Sequence, residues 1–119
     1  MNGCATSNDP LNDMESFDLV VEIDSEKKVW RNTFGNEPIK SCYLPGNVKT
    51  GVTKDLSSGE EIKIGYVQLR DKLIIETLPG WCDTGSQVEL RKQDGFYKGI
   101  LYSRSFGGLK EIGVAVEAE

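Results

Sequence analysis

No segment longer than about ten residues in this chain keeps a helical apolar period; alternation at period two recurs instead. Phe17, Leu19, Val21 and Ile23 alternate with polar or exposed positions, the pattern of a strand with one face buried. KVWRNTF, IKSCYL and NVKTGVT read as further strands, followed by EIKIGYVQL, whose apolar face switches at Gly65 and suggests a bulge. DKLIIETL is another run, and PGWCDTGS makes a loop. The last third is the plainest. Val88 and Leu90 alternate in SQVELRKQ, Asp94-Gly95 supplies the favoured tight hairpin dipeptide, and FYKGILYS returns. After FGG, Ile112, Val114 and Val116 are expected on one face of a closing strand.

Seven or more short strands in 119 residues leave room for one domain with a real core. The expectation is an all-β fold, a small antiparallel β-barrel of about six core strands with extra short strands at the rim. Residues 1–16 are small, polar and turn-rich and read as a disordered acidic tail, leaving 17–119 as the barrel domain. No run approaches 18 apolar residues, so no membrane span is expected. No basic segment followed by an apolar run opens the sequence, so no secretory signal is expected.

The chain contains no histidine, which excludes Ser-His-Asp and Cys-His nucleophiles and every histidine metal site. Asp83-Thr84-Gly85-Ser86 matches the aspartic-protease signature, but it lies in a Pro-Gly loop with only 36 residues after the aspartate. It is read as chance. Glu60 and Glu61 have no identifiable partner for acid–base work and read as solvated turn residues. No enzyme, no catalytic residue and no metal site is expected. Cys4, Cys42 and Cys82 have no metal-ligand spacing, and an odd count fits reduced thiols in a cytoplasm. The alternative is an exported lipoprotein barrel holding an apolar ligand, lipidated at Cys4 with Cys42 and Cys82 bonded. Most of the aromatic residues are expected to fill the core.

The net charge of −5 hides a pattern. Residues 1–26 hold seven acidic groups and no basic one, whereas residues 27–54 hold six basic groups against Glu37 alone. Such a chain repels polyanions, so DNA and RNA are not expected partners. A local anion site remains open. Lys27, Lys28 and Arg31 lie near a strand start, and 24 residues after Arg31 comes a turn of short polar residues, Asp55, Ser57, Ser58 and Gly59. A phosphodiester needs cations, best a guanidinium, together with small hydrogen-bonding groups and a close-approaching backbone.

These two segments resemble the PilZ domains, small bacterial β-barrels that bind cyclic di-GMP. EKKVWRNTFGNEPIKSCYLPG is similar to the family's R-x-x-x-R region, with Lys27 and Arg31 at the arginine positions. VTKDLSSGEEIKI is similar to its D/N-x-S-x-x-G segment, with Asp55 and Ser57 at the first two motif positions. GSQVELRKQDGFYKGILYSRSFGGLKEIGVAVE resembles the closing strands, including Gly113-Val114, so the resemblance runs from about 26 to 117. Two departures weaken the grip: Lys27 lacks the planar fork of arginine, and Glu60 stands where the motif has its last glycine, beside Glu61. The resemblance implies a cytoplasmic, non-enzymatic signalling domain with cyclic di-GMP as its ligand and a protein partner to which the signal is relayed. Arg31 would stack on guanine or clamp phosphate, Lys27 and Lys28 would add charge, Asp55 and Ser57 would bond the base or phosphate, and Gly59 would admit the backbone. A barrel of the same shape that has lost the nucleotide, and serves as a protein-interaction module, is the nearest alternative.

Overall fold

The computed structural model describes residues 16–44, 46–105 and 107–118. It is a closed antiparallel barrel in which each strand pairs with the next and the last returns to the first. The strands are β1 (Phe17–Ile23), β2 (Glu26–Pro38), β3 (Lys49–Asp55), β4 (Glu61–Gln68), β5 (Lys72–Thr77), β6 (Ser86–Gln93), β7 (Phe96–Ser105) and β8 (Gly108–Glu117). All eight strands belong to the barrel wall, where six with rim additions were expected. Alternation decides the count, because each strand has an inward face to bury.

The inward face of β1 carries Phe17, Leu19 and Val21, at most 2% exposed. Register places Asn32, Trp30 and Lys28 of β2 opposite these three. Ile64, Tyr66, Leu73, Ile75, Val88, Leu90, Tyr97, Leu101 and Ala115 complete the core. Phe17 meets Tyr97 edge-on at 5.6 Å, and Phe34 lies 4.4 Å from Tyr66 between ring centroids. An eight-stranded barrel is about wide enough for side chains to fill it. The lumen is therefore a packed core, and ligand chemistry is left to its ends and outer faces. The hairpin turn has both Asp94 and Gly95 at positive φ (50° and 89°), as the primed turn that matches strand twist requires.

Three local expectations are corrected. IKSCYL is not a strand: residues 39–44 and 46–48 form a strap across the outer face of β4 and β5, where Ile39, Leu44 and Val48 pack on Val67 and Ile74. Gly65 is not a bulge, since pairing runs unbroken through it on both sides. It is glycine because a Cβ there would press on Ile39, Pro79 and Val48, each at 3.1 Å. Ile112, Val114 and Val116 do not share a face. Pairing passes from Leu101–Gly113 to Tyr102–Glu111, so the bulge at Ile112 turns that side chain onto the core while Val114 is 42% exposed.

The cysteines are also corrected. Cys42 of the strap and Cys82 of the β5–β6 loop form a disulfide, with Cα atoms 5.4 Å apart. This is the pairing that the alternative reading held open; Cys4, its proposed lipidation and residues 1–15 of the tail lie outside the described residues.

Candidate functional site

The turns β1–β2, β3–β4 and β5–β6 and the β7–β8 connection crowd one end of the barrel. Both halves of the sequence-derived site come to this end, because β2 and β3 are antiparallel neighbours with Trp30 opposite Asp55. The Leu56 amide donates to the Val29 carbonyl at 3.0 Å, seating the 55–60 turn beside the start of β2.

The turn is built by its own side chains. Asp55 Oδ1 accepts from the Ser57 hydroxyl (2.6 Å) and the Ser57 amide (2.9 Å), and Ser58 Oγ accepts from the Glu60 amide at 3.2 Å. The Gly59 amide donates to the Asp55 carbonyl at 2.7 Å. Gly59 has φ of +81°, and a Cβ there would meet nothing, so backbone conformation explains this glycine. The Ser57 hydroxyl foremost, then the Ser57 amide and the Lys28 charge, hold the Asp55 carboxyl below its ordinary range against the opposing effect of burial.

The cations divide between two faces. Lys28 points with Trp30 and Asn32 to the inner side, and its Nζ lies 3.8 Å from Asp55 Oδ2. Lys27 and Arg31 lie opposite Glu22 and Asp18 on the outer side. Arg31 is committed there, since its Nε and Nη2 donate to the two Asp18 carboxylate oxygens at 2.9 Å each. That hydrogen-bonded pairing raises the Arg31 pKa. The structure thus gathers Lys28, Asp55, Ser57, Ser58 and Gly59, and turns Lys27 and Arg31 away from them. Residues four apart on a strand share a face; that face here is the outer one.

At the barrel mouth, Trp30, Thr53, Asp55, Glu60, Ile62, Thr77, Leu78, Gly85 and Ser86 enclose a cavity of about 250 Å³. Thr77 and Ser86 satisfy each other, with the Ser86 amide donating to Thr77 Oγ1 at 2.8 Å. Thr53 Oγ1 is buried and has no hydrogen-bond partner among the described residues.

A second surface, not foreseen, adjoins the mouth. The disulfide holds the strap against the β5–β6 loop, and the Tyr43 hydroxyl donates to the Cys82 carbonyl at 2.7 Å. Beneath lies Arg104, 2% exposed. Its guanidinium donates to the carbonyls of Thr77 (2.8 Å), Leu78 (3.0 Å), Trp81 (2.8 Å) and Ser86 (3.1 Å), and its Nη1 lies 3.6 Å from Glu76 Oε2. Burial pushes the Glu76 carboxyl up, opposed by the Ser41 hydroxyl and by the Arg104 charge. On this rigid base Trp81 is 61% exposed. With Ile39, Lys40, Lys63, Leu78, Pro79 and Gly80 it lines a groove of about 300 Å³. Lys40 and Lys63 form no ion pair among the described residues. Trp81 is thus an exception to the expectation that most aromatic residues fill the core. The signal against that lay in its setting, a Pro-Gly loop without alternation.

No protein-family model, no curated protein and no solved structure matches this chain.

Proposed function

We propose that the chain is a non-enzymatic, disulfide-stapled binding barrel of an oxidising compartment that recognises an acidic segment of a partner protein at the Trp81 groove. The observation that carries this reading is the Trp81 indole, 61% exposed on loops locked together by Cys42–Cys82. A tryptophan on a rigid frame loses little entropy on binding and is a favoured interface anchor. Among the described residues two lysines without an ion pair and no carboxylate line the groove, which suits an acidic segment with an apolar anchor residue. Closure of the barrel leaves no free edge among the described strands for β-augmentation, so side chains are left to do the recognising.

Selection from a random peptide library tests the binding half. The expected peptides carry Asp or Glu around one apolar residue and bind Trp81→Ala at least tenfold more weakly. Peptides without acidic enrichment, or indifferent to Trp81→Ala, refute it. Alkylation and mass measurement of protein isolated without reductant test the compartment half, and free thiols at Cys42 and Cys82 refute that.

A second reading, the signalling domain that binds cyclic di-GMP, is favoured by the contact between the β2 start and the 55–59 turn through Lys28 and Asp55. It requires Arg31 to leave Asp18 or the ligand to lie on the outer face. Calorimetric titration decides it. Saturable heat lost in Arg31→Ala supports the nucleotide, and silence at high micromolar ligand with folded protein removes it.

A further inference from the structure

The mouth cavity is separate from the Trp81 groove, and its chemistry has the opposite sign. Its lining holds the acidic residues Asp55 and Glu60 and no basic one; the Arg104 guanidinium behind it is taken up by the carbonyls of Thr77, Leu78 and Ser86 and by Glu76. A further cleft, linked to it through the Lys28–Asp55 contact, is lined by Asp24 and Glu26 against Lys28 alone. Lys28 is already drawn to Asp55, and Glu60 forms no ion pair among the described residues. Around these charges stand the Trp30 indole, Ile62 and Leu78.

The Thr53 hydroxyl is the second, independent observation. Thr53 is 5% exposed, lines the cavity, and its Oγ1 meets neither donor nor acceptor. A buried hydroxyl without a partner is destabilising and rare in native proteins. Its neighbours across the strands explain its isolation. Asn32 opposite it donates to the Phe17 carbonyl at 2.9 Å, and Ile62 on the other side has nothing to offer. Thr53 and Asp55 are two apart on β3, so their side chains stand about 7 Å from each other on one face. That separation fits a small molecule with a cationic head near the rim and a hydrogen-bonding group below it.

We infer that the barrel mouth is a binding site for a small organic ammonium ion, held by the Asp55 and Glu60 carboxylates, packed on Trp30 and hydrogen-bonded to Thr53. Carboxylates satisfy the charge, the indole face attracts a desolvated ammonium, and a ligand hydroxyl or N–H completes Thr53. Barrel mouths are frequent ligand sites because loops there surround a concave, partly apolar floor. The inference does not depend on the partner-binding reading, since no residue it uses but Leu78 lines the Trp81 groove.

The test uses the full chain with its disulfide intact and Trp81→Phe, which leaves Trp30 as the one remaining tryptophan of two. Choline is the probe, and 3,3-dimethylbutan-1-ol, its neutral carbon isostere, is the control. Trp30 emission is expected to change saturably with choline in the micromolar to low millimolar range and not with the alcohol. Glu60→Gln is expected to weaken choline about three- to tenfold, and Thr53→Val, which keeps the shape, by a similar factor. Equal responses to choline and alcohol overturn the charge assignment. A flat titration with folded protein overturns the site. Unchanged choline affinity in Thr53→Val, with raised stability, shows an unsatisfied hydroxyl that serves no ligand and overturns its role.

Discussion

Removing the Cys42–Cys82 bridge by a double substitution to alanine isolates what the staple contributes. Both cysteines are exposed, so the substitution deletes little packing and acts mainly on the unfolded chain. The bridge joins positions 40 residues apart. The chain-entropy relation for a loop of that length gives about 13 cal/mol/K, or about 4 kcal/mol at 25 °C. Small domains have total stabilities of about 5–15 kcal/mol, so this one bond decides whether the fold survives mild denaturation. Native contacts of the strap remain in the variant: Leu44 and Val48 still bury against Val67 and Ile74, and the Tyr43 hydroxyl still reaches the backbone carbonyls at positions 82 and 105. The folded states should therefore have similar circular dichroism. Urea unfolding with linear extrapolation is the assay, expected to show a lower midpoint and a somewhat larger slope because the denatured chain expands. A loss below about 1 kcal/mol would refute the entropic argument. An unchanged global transition with faster amide exchange confined to residues 39–48 would refute the placement of the strap in the cooperative unit.

Arg104→Met leaves Glu76 buried without its counter-charge and should cost about 3–5 kcal/mol, and less in a Glu76→Gln background, where only the loss of the donor to the Thr77, Leu78, Trp81 and Ser86 carbonyls remains; a double-mutant cycle from urea melts reads the difference. Because the folded state holds the Glu76 proton more tightly than the unfolded chain, wild type should lose stability relative to Glu76→Gln as pH rises from the ordinary carboxylate range through the raised value. The sign reverses for Asp55, whose lowered pKa stabilises above the ordinary range and stops doing so as pH falls through the folded value, so wild type and Asp55→Asn should converge in acid. Gly99→Ala should cost about 3 kcal/mol by thermal melt, because its Cβ would collide with the Glu89 carbonyl on the neighbouring strand.

What the sequence discloses and what it withholds follow from the range of the interactions. Alternation in β1 and the Asp94-Gly95 turn are local, and the structure agrees with both. The adjacency of Lys28 to Asp55 follows once β2 and β3 are neighbours, so that half of the candidate site was legible. The commitment of Arg31 to Asp18 was not, because it depends on which strand lies on the other side of β2 and on which face is outward. IKSCYL reads as a strand because it is a short, partly apolar run with no breaker inside it, yet Ile39 and Leu44, five residues apart, both bury on the outside of the wall. Whether Cys42 meets Cys82 depends on two loops from opposite ends of the barrel meeting, which no local pattern encodes.

The seam where β8 meets β1 has a bearing on how the chain folds. Every other pairing joins strands adjacent in sequence, so hairpins zip locally and early. The seam runs from Leu19–Glu117 to Glu22–Val114 and spans nearly the whole described chain. Its loop-closure entropy is the largest in the fold, and its pairing is expected to form last. Until then β1 and β8 offer unpaired edges, the form in which an otherwise edgeless protein is open to association with its own copies.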